Sequence, residues 1–457
     1  MNRSVLIVTP YFAPQSHAAV FRAHKLAKYL PRFGWKPYVL TVDTNYLYNE
    51  DPGLLEELPP EVEIHRARYI EPTLRGLRMA LGGKDRRFVT LKGRIRENCG
   101  LDPGNMGQGS AVQRFYQWLL RRYVAVPDRH RTWLGPAVRA GQTLIAQHRI
   151  PLVYTSCLPY TCNCIGLSLQ RSGIKWVADF RDPAGYAARM TSSEGRVALR
   201  QKAIVRETLE RADAVTVLAP SYALVFEDMF PHVGRRKTHF IPTGLDQELL
   251  EPHDSSPVRP WPFLLFAGEY LPEYDSSFFG VFAEALRTPY VRDSQVRLLV
   301  VGHEILNRAR LAPLLRKLGI ENIAEFVDHQ PQRELYRIIR AAKACLLVPG
   351  ETVHWWTSFA KLVDFIALRK PVIALVPDPS VARSALTATR LGVFLDGDRG
   401  SRLRTLVDFL AGQMQLPPPD QAECERYTAR RQAEAFAQLF EHLVDEQAQS
   451  RPSSWQV

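Results

Sequence analysis

The sequence predicts an α/β protein built from two domains, each with a parallel β-sheet. Three observations lead to this prediction. The chain has 457 residues, which is too long for one compact core. Short apolar segments alternate with helical segments in two successive series. The segment EPHDSSPVRPWP (251–262), rich in Pro and Ser, separates the two series and is typical of a domain linker.

The first series opens with a strand, a helix and a second strand. VLIVT (5–9) is a continuous apolar run of the kind found in buried parallel strands. Residues 18–34 have helical spacing, and Gly34 stands where that helix would end. With PYVLTVD (37–43) as the next strand, these segments predict a right-handed βαβ unit. Further strands are predicted at 151–157, 175–180, 214–220 and 239–244, with helices between them.

The second series repeats the same pattern after the linker. Its predicted strands are 263–268, 296–302, 323–329, 344–350, 371–377 and 392–396, and a terminal helix follows at 421–446. Ligands of such parallel sheets bind at the carboxyl ends of the strands. Two edges of this kind that face each other would form a cleft.

Composition and motifs disfavour several classes of protein. The six cysteines include no C-x2-C pair, which argues against a structural zinc site and for free thiols in a reducing compartment. A dinucleotide oxidoreductase or a P-loop enzyme is disfavoured because neither glycine motif is present. No apolar run reaches the ~20 residues of a membrane-spanning helix. The first apolar run is too short for a signal peptide, so we expect a cytoplasmic protein.

The positive charge of the chain is concentrated in one region. The formal net charge is +12, and residues 66–149 contain 17 Lys and Arg against 5 Asp and Glu. Within this insert, VQRFYQWLLRRYVAV (112–126) reads as a basic amphipathic helix with aromatic residues. Such a segment favours contact with an anionic membrane surface, here the inner face of the cell membrane. The alternative is a solvated helix face packed on its own domain. Nucleic acid is disfavoured because no recognition motif accompanies the charge.

The segment WWTSFAKLVDFIALRKPVIALVP (355–377) carries the most informative pattern. Thr357 or Ser358 is a candidate N-cap of a helix. Lys361 and Asp364 stand three residues apart, on neighbouring positions of one helix face. A helix N-terminus with a nearby cation suits a phosphate, and a carboxylate one turn later suits a sugar diol. An ordinary ion pair on an exposed helix is the alternative.

Charged residues also follow the predicted strand at 175–180. Arg181 and Asp182 stand at its carboxyl end, where side chains commonly point towards a ligand. An Arg–Asp pair that fixes the turn before Pro183 is the alternative. His17 lies in the first loop, and a structural role is the commoner one for a single histidine.

A sharp turn is expected where the first series ends. In THFIPTGLD (238–246), Gly244 would supply an unusual backbone dihedral directly after a strand. This turn could contribute to a ligand edge, or it could be an ordinary strand-end turn.

These segments resemble a known family. The chain is similar to glycosyltransferases of the GT-B architecture, and in particular to family 4 of retaining enzymes. The resemblance covers most of the chain and rests on VLIVTPYFAPQSHAAVFRAHKLAKYLPRFGWKPYVLT, TSCLPYTCNCIGLSL, KWVADFRDP, THFIPTGLD and SFAKLVDFIALRKPVIAL. It implies two Rossmann-like domains facing across a cleft. Its parts would be an acceptor-side domain at 1–245 with a basic insert at about 66–149, a nucleotide-sugar donor domain at 258–418, and a C-terminal helix at 419–450 that returns to the first domain.

The resemblance also implies roles for individual residues. Asp364 would bind the ribose of the donor, and Lys361 would face its diphosphate. The other donor-side residues would be Thr357, Ser358, Gly244, Gly268 and Glu351. Residues of the acceptor side and its loop would be Gln15, Ser16, Arg22 and Arg181, and the catalytic residues would be Asp182 and His17. No metal or other cofactor is implied.

The implied activity is retaining transfer of a sugar from a nucleotide-sugar to an acceptor, such as a membrane-associated lipid-linked glycan, in polysaccharide or glycoconjugate synthesis. The chain departs from the family pattern at four places. Trp356 replaces the first Glu of the family's pair, and Asp364 replaces the second. Ser16-His17-Ala18 replaces the glycine pair of the first loop, and GEYLPEYD (268–275) is acidic where a basic pair is expected. Two alternatives therefore remain open: a noncatalytic scaffold or binding subunit of a polysaccharide assembly, and a nucleotide-sugar epimerase or hydrolase.

Overall fold

A computed structural model describes most of the chain, and its described residues divide between two compact units. The described residues are 2–16, 18–43, 50–73, 76, 80, 126–183, 196–231, 237–250, 258–353 and 355–449. One unit comprises Met1–Pro242 and Gln432–Val457, and the other comprises Thr243–Arg431. Each unit contains a parallel sheet, which confirms the predicted α/β class with two parallel-sheet domains.

The first unit is built on a seven-stranded sheet within the described residues. Its strands are β1 (Ser4–Val8), β2 (Lys36–Val42), β3 (Glu63–Ala67), β4 (Leu152–Cys157), β5 (Lys175–Phe180), β6 (Ala214–Val217) and β7 (Thr238–Phe240). They lie in the order β3-β2-β1-β4-β5-β6-β7, so the strand order reverses between β1 and β4. All five residues of β1 are buried, as expected of a strand covered on both faces. Strand β3 is polar and at the edge, and the sequence analysis did not predict it.

Helices connect the strands of the first unit. They are α1 (Ala18–Tyr29), α2 (Gly53–Glu56), α3 (Leu134–His148), α4 (Tyr160–Gln170), α5 (Arg196–Arg211) and α6 (Ser221–Met229). After α1 a short 3-10 turn, Leu30–Phe33, leads to Gly34, whose φ of 76° confirms the predicted stop. The basic amphipathic segment at 112–126 lies outside the described residues, except for Val126.

The second unit is built on a six-stranded parallel sheet within the described residues. Its strands are β8 (Phe263–Ala267), β9 (Arg297–Val301), β10 (Ala324–Val327), β11 (Ala344–Leu347), β12 (Val372–Ala374) and β13 (Gly392–Phe394). Its helices are α7 (Ser277–Ala285), α8 (Pro289–Asp293), α9 (Glu304–Lys317), α10 (Gln332–Ala341), α11 (Ala360–Ala367), α12 (Val381–Thr389), α13 (Arg399–Leu410) and α14 (Gln421–Glu425). The strand order is β10-β9-β8-β11-β12-β13, with the reversal between β8 and β11.

Apolar side chains cover both faces of the second sheet. Alternate residues of β8 enter different clusters: Leu264 belongs to one and Leu265 to the other. This alternation follows from the two-residue period of a strand. The sheet is therefore a central layer, and its carboxyl edge is the surface at which polar residues from several loops can meet.

The last helix, α15 (Ala429–Gln449), belongs to the first unit from Gln432 onward, and its first three residues belong to the second. Phe440 contacts the ring of Trp35 at a centroid distance of 5.4 Å, and Phe436 contacts Tyr154 at the same distance. Both contacts are edge-to-face, a favourable geometry for aromatic pairs. None of the helices in the described part of the chain is long and apolar enough to span a membrane.

A buried charge network joins five elements of the first unit. The Asp179 carboxylate accepts two hydrogen bonds from Arg22, at 2.8 Å and 2.7 Å, and is fully buried. It also accepts from the hydroxyls of Tyr154 at 2.7 Å and Thr216 at 2.6 Å. Gln432 of α15 donates to the Arg22 carbonyl at 3.0 Å. Because four donors satisfy this carboxylate, the network can remain charged inside the unit.

The interior position of Arg22 corrects one expectation. The sequence analysis grouped Arg22 with the acceptor-side loop, but its side chain is only 2% exposed. Burial favours loss of the guanidinium proton, yet the charge and hydrogen bonds of Asp179, together with Tyr154, outweigh this and raise the pKa of Arg22. Its role in the structure is to neutralise Asp179.

Replacing Arg22 with alanine tests this role. We expect Arg22→Ala to lower the free energy of unfolding of the first unit by about 3–5 kcal/mol, because Asp179 would be left buried without its cation. Urea denaturation measures the change. Arg206→Ala is the matched control, since Arg206 is 65% exposed and pairs with Glu210 on one helix; it should cost less than about 1 kcal/mol. Equal losses in the two variants would contradict the structural role of Arg22.

Candidate functional site

The candidate functional residues form two groups, one at the carboxyl edge of each sheet. In the second unit the strand order reverses between β8 and β11, so the loops after these strands flank the switch point. Both loops contain residues predicted from the sequence: Gly268 follows β8 and Glu351 follows β11.

Two glycines bring the backbones after β8 and β9 into close contact. Gly268 has a φ of 132°, and Gly302 has a φ of 158°. A Cβ on Gly302 would clash with the carbonyl oxygen of Gly268. The buried amide of Asn307 donates to this oxygen at 2.9 Å and accepts from the Tyr270 N–H at 2.8 Å. The start of the loop at 268–270 is therefore held rigidly.

The cation at this loop comes from a helix. The sequence lacks the expected basic pair after Gly268, and Glu269 stands there instead. Arg310 of α9 donates to Glu269 at 2.7 Å and to the Tyr270 carbonyl at 2.6 Å. Sequence reasoning missed Arg310 because it lies 41 residues from Glu269 along the chain. The arginine is half-buried, and Glu269 already neutralises it.

The loops after β8 and β11 pack against each other. Gly350 has a φ of 95°, and a Cβ there would clash with the Cβ of Asp275. The Asp275 N–H donates to the Pro349 carbonyl at 2.9 Å. Glu351 follows this contact, is about half exposed, and pairs with Arg402 of α13 at 3.0 Å. Arg402 is a second cation that the sequence analysis did not identify.

Helix α11 begins one or two residues later than the sequence predicted. Thr357 or Ser358 was expected as the N-cap, but Phe359 occupies that position with an extended backbone. Phe359 packs against an apolar cluster of the second unit, and this contact places the start of the helix. The N-cap side chain makes no hydrogen bond to the first turn. Thr357 and Ser358 lie in the half-buried segment that leads into the helix.

Lys361 and Asp364 form an ion pair on α11. Lys361 Nζ lies 3.6 Å from Asp364 Oδ2, as their spacing predicts. The lysine side chain is 31% exposed, but the aspartate only 8%. Desolvation, and then the charge of Lys361, lower the pKa of His329, which follows β10. A cation, a nearly buried carboxylate and a neutral imidazole therefore lie around the carboxyl side of this sheet.

Gly244 is required for a reason other than the one expected. Its backbone is not in the left-handed region, so the predicted unusual dihedral is wrong. A Cβ on Gly244 would instead clash with the backbone of Thr428. The next residue, Leu245, donates to the Tyr427 carbonyl at 2.7 Å and accepts from the Ala429 N–H at 2.7 Å. The glycine allows two chain segments of the second unit to pair.

In the first unit, the loop after β1 folds inward. Gln15 is 4% exposed, and its side-chain amide donates to the Pro10 carbonyl at 3.2 Å. Its backbone pairs with Glu50 as an isolated antiparallel bridge. Ser16 is half-buried, and His17 lies outside the described residues. The Gln15 side chain thus stabilises the loop itself.

Arg181 and Asp182 follow β5 at the same edge. Arg181 donates to the Leu158 carbonyl, and its guanidinium lies 5.8 Å from the centroid of the Tyr11 ring. Asp182 is exposed, yet desolvation by the surrounding protein raises the pKa of its carboxyl, an effect that Arg181 partly opposes. A carboxyl whose pKa is shifted at the edge of a sheet is a candidate for a functional site.

Asp128 and His130 form a second polar group at this edge that the sequence analysis missed. Asp128 accepts hydrogen bonds of 2.8 Å from the N–H and the hydroxyl of Thr161, in the first turn of α4, and from the His130 N–H. Desolvation opposes ionisation of Asp128, but His130 and Thr161 outweigh it and lower its pKa. The sequence gives no periodic signal here, since His130 lies in a short 3-10 helix, Arg129–Trp133, and Asp128 is its N-cap.

His130 is buried between two aromatic rings. Its ring stacks on Tyr69 at 5.1 Å and meets Tyr11 edge-on at 5.3 Å. Burial lowers the pKa of His130 more than neighbouring Asp128 raises it. The imidazole is therefore neutral near pH 7. Within the described residues, no group of three or more His, Cys, Asp or Glu side chains is arranged to hold a metal ion.

The fold is shared with solved structures of known proteins. Sucrose-phosphate synthase from Thermosynechococcus elongatus has a TM-score of 0.59 and 14% identity, with 97% of this chain and 100% of that chain covered. WaaG, a glycosyltransferase involved in lipopolysaccharide biosynthesis, has a TM-score of 0.52 and 14% identity, with 97% and 99% covered. A proposed UDP-N-acetylglucosamine 2-epimerase from Listeria monocytogenes has a TM-score of 0.55 and 10% identity, with 98% of each chain covered.

These likenesses establish the fold, which is that of GT-B glycosyltransferases, the class expected from the sequence. No family model and no curated protein matches the sequence. The assignment to family 4 and the roles of individual residues therefore remain predictions.

The buried imidazole of His130 makes stability depend on pH. Its pKa in the folded protein lies below its value of about 6.5 in the unfolded chain. Below pH 6.5 the unfolded state binds the extra proton, so His130 reduces stability as the pH falls. We expect this loss to reach at most about 1.4 kcal/mol by pH 5.5. Asp128 remains ionised in this window because its pKa is lowered.

The measurement is the unfolding midpoint of the protein and of His130→Gln between pH 7.5 and 5.5. The variant should show the shallower decline. His442→Gln, which changes a histidine side chain that is 67% exposed, serves as the control and should follow the parent protein. Parallel curves for the parent and His130→Gln would contradict a buried neutral imidazole.

Proposed function

We propose that the protein is a retaining glycosyltransferase that moves a sugar from a nucleotide-sugar donor to an acceptor hydroxyl. The observation that carries this proposal is the pair of Lys361 and nearly buried Asp364 on a helix whose N-cap side chain makes no hydrogen bond. This pair belongs to a fold shared with glycosyltransferases.

On the donor side, the diphosphate would lie at the start of α11. The N–H groups of the first turn and the Lys361 ammonium would bind its oxygens. Asp364 would accept hydrogen bonds from the ribose hydroxyls. Thr357 and Ser358 lead into this turn, and Gly268 follows β8 at the switch point, where Gly302 packs against its carbonyl. Gly244 stays in this proposal on the basis of the sequence resemblance, since its backbone packs against Thr428. Glu351, after β11, would contact hydroxyls of the transferred sugar.

In the transfer step, the acceptor oxygen would form a bond to the anomeric carbon as the bond from that carbon to the diphosphate oxygen breaks. Attack occurs on the face from which the diphosphate departs, so the configuration is retained. The proton of the acceptor hydroxyl passes to the departing phosphate oxygen. The protein would contribute positioning and stabilisation of the leaving group, with no metal or other cofactor.

On the acceptor side, we assign catalytic or positioning roles to the loop after β1 and the residues after β5. Asp182 would contact the acceptor hydroxyl and orient it for attack. Arg181 and Ser16 would contact the acceptor, and Gln15 would hold the loop in place. His17 stays in this proposal on the basis of the sequence resemblance. Arg22 is removed from it because its guanidinium is buried.

A nucleotide-sugar epimerase or hydrolase is the second candidate, favoured by the likeness to the proposed 2-epimerase. It would consume the donor without an acceptor. A noncatalytic scaffold is the third candidate. It is favoured by Glu269, which stands where a cation would otherwise neutralise a diphosphate.

Binding of nucleotide sugars tests the donor site. We expect one member of a panel of nucleotide sugars to raise the unfolding temperature of the protein. Asp364→Ala and Lys361→Ala should each lower the affinity for that ligand by about 10- to 150-fold, since hydrogen bonds to charged groups contribute about 1.5–3 kcal/mol. Titration calorimetry measures both dissociation constants. Lys317→Ala, at the exposed end of α9, is the matched control and should bind as the parent does.

The outcomes separate the three candidates. Donor binding with turnover only when an acceptor is added supports the transferase. Consumption of the donor without an acceptor supports the epimerase or hydrolase. Absence of binding across the whole panel would contradict both enzymatic candidates and leave the noncatalytic scaffold as the remaining one.

We further propose that the acceptor is a lipid-linked glycan in polysaccharide or glycoconjugate synthesis, reached from the cytoplasmic face of the cell membrane. The basic insert at about 66–149 supports this, because its cations and aromatic residues suit an anionic lipid surface.

Vesicle flotation tests the membrane proposal. The protein should float with anionic vesicles at low salt, and less at high salt, because screening weakens the attraction between charges. Neutral vesicles should bind less. Arg114→Glu/Arg121→Glu/Arg122→Glu should abolish flotation, whereas three reversals at the exposed positions Arg206, Arg292 and Arg316 should preserve most of it. Equal behaviour of the two triple variants would contradict a membrane role for the insert.

A further inference from the structure

A pocket lies in the second unit, at the opposite end of α11 from its N-terminal turn. It has a volume of about 500 Å³, within the range of small-molecule sites. Part of its wall comes from Ala367, at the end of α11, and from Leu368 and Arg369, which follow it. The rest comes from the segments around residues 245–250 and 424–431 and from Arg340 of α10.

Four arginines line this pocket against one carboxylate among the described lining residues. Arg340, Arg369, Arg430 and Arg431 are all exposed, so their guanidinium groups can reach a ligand. The carboxylate is Glu425, which lies 3.6 Å from Arg431, with both side chains about half exposed. Glu425 offsets one of the four positive charges, so the described lining keeps a net positive charge and a positive potential.

The placement of the arginines strengthens this potential. Arg430 and Arg431 stand in the first turn of α15, which contains no acidic residue. The positive end of the helix dipole adds to their charge instead of offsetting it. Arg369 has a left-handed backbone, with a φ of 53°, and follows the C-cap of α11. Together, charges from three separate parts of the chain converge on one concavity, where a field is focused.

Part of the remaining wall is apolar, while Gln247 and Thr428 add polar groups to it. Leu245, Leu250, Ala367 and Leu368 line the pocket beside the arginines. A bare inorganic ion would leave these walls in contact with water. A small organic molecule that carries a phosphate would use both surfaces, because arginine forks bind phosphate oxygens in pairs.

We propose that this pocket binds the phosphate ester of a small organic molecule. The ligand's phosphate contacts the guanidinium groups, and its organic part lies against the leucine wall. The site is separate from the proposed donor site, because the two lie at opposite ends of α11. The proposal does not depend on the transferase activity.

Titration calorimetry with glycerol 3-phosphate tests the proposal, with glycerol and inorganic phosphate as comparison ligands. The ester should bind more tightly than phosphate, and glycerol should not bind. Arg369→Asn/Arg430→Gln should lower the affinity for the ester about 100-fold, because each charge-assisted contact contributes about tenfold or more. Asparagine is chosen at 369 because it tolerates the left-handed backbone.

The matched control is Arg287→Asn/Arg292→Gln, which removes the same charge from exposed positions of the same unit. It should bind the ester as the parent protein does, and so should Lys361→Ala, since Lys361 belongs to the donor site. Equal weakening in the two double variants, or weakening in Lys361→Ala alone, would overturn the proposal. Failure of glycerol 3-phosphate and of phosphatidic-acid vesicles to bind would also overturn it.

The vesicles identify the source of the phosphate. Binding of the soluble ester that is lost in Arg369→Asn/Arg430→Gln assigns the pocket to a free metabolite. Binding to phosphatidic-acid vesicles that is lost in the same variant, without binding of the soluble ester, assigns it to a lipid headgroup.

Discussion

Inside the first unit, the carboxylate of Asp179 has to be neutralised within a network that joins five elements. Arg22 of α1 supplies the charge, while Tyr154 of β4 and Thr216 of β6 complete the hydrogen bonds. Gln432 connects α15 to the same place through the Arg22 backbone. The loops after β1 and β5, which carry the acceptor-side candidates, begin or end at elements held by this network. The buried ion pair thus supports the functional edge without belonging to it.

In the second unit, close backbone contact performs the corresponding task. Gly302 meets the carbonyl of Gly268, and Gly350 meets Asp275, so the loops on both sides of the switch point are fixed against their neighbours. The cations at this edge then arrive from helices: Arg310 binds Glu269, and Arg402 binds Glu351. A site arranged in this way presents paired charges, and a ligand would have to compete with the existing partners or add to them.

Much of the fold followed from local pattern. The buried strands were predicted because continuous apolar runs have no other stable place than a covered sheet, whereas β3 was missed because its edge position leaves it polar. The predicted start of α11 was wrong by one or two residues because Phe359 packs against the core. This tertiary contact overrode the preference of Thr and Ser for the N-cap position. Gly244 was identified correctly as a special position but for the wrong physical reason.

The sequence by itself determined the two parallel sheets, the helix that carries Lys361 and Asp364, and the pairing of these residues, since all three depend on spacing within one segment. Only the tertiary structure decided which charges are buried and which are paired. Arg22 and Asp179 lie 157 residues apart, and Glu269 and Arg310 lie 41 apart. Electrostatic energy depends on distance in space and on exclusion of water, and neither quantity exists along the chain until the sheets have formed.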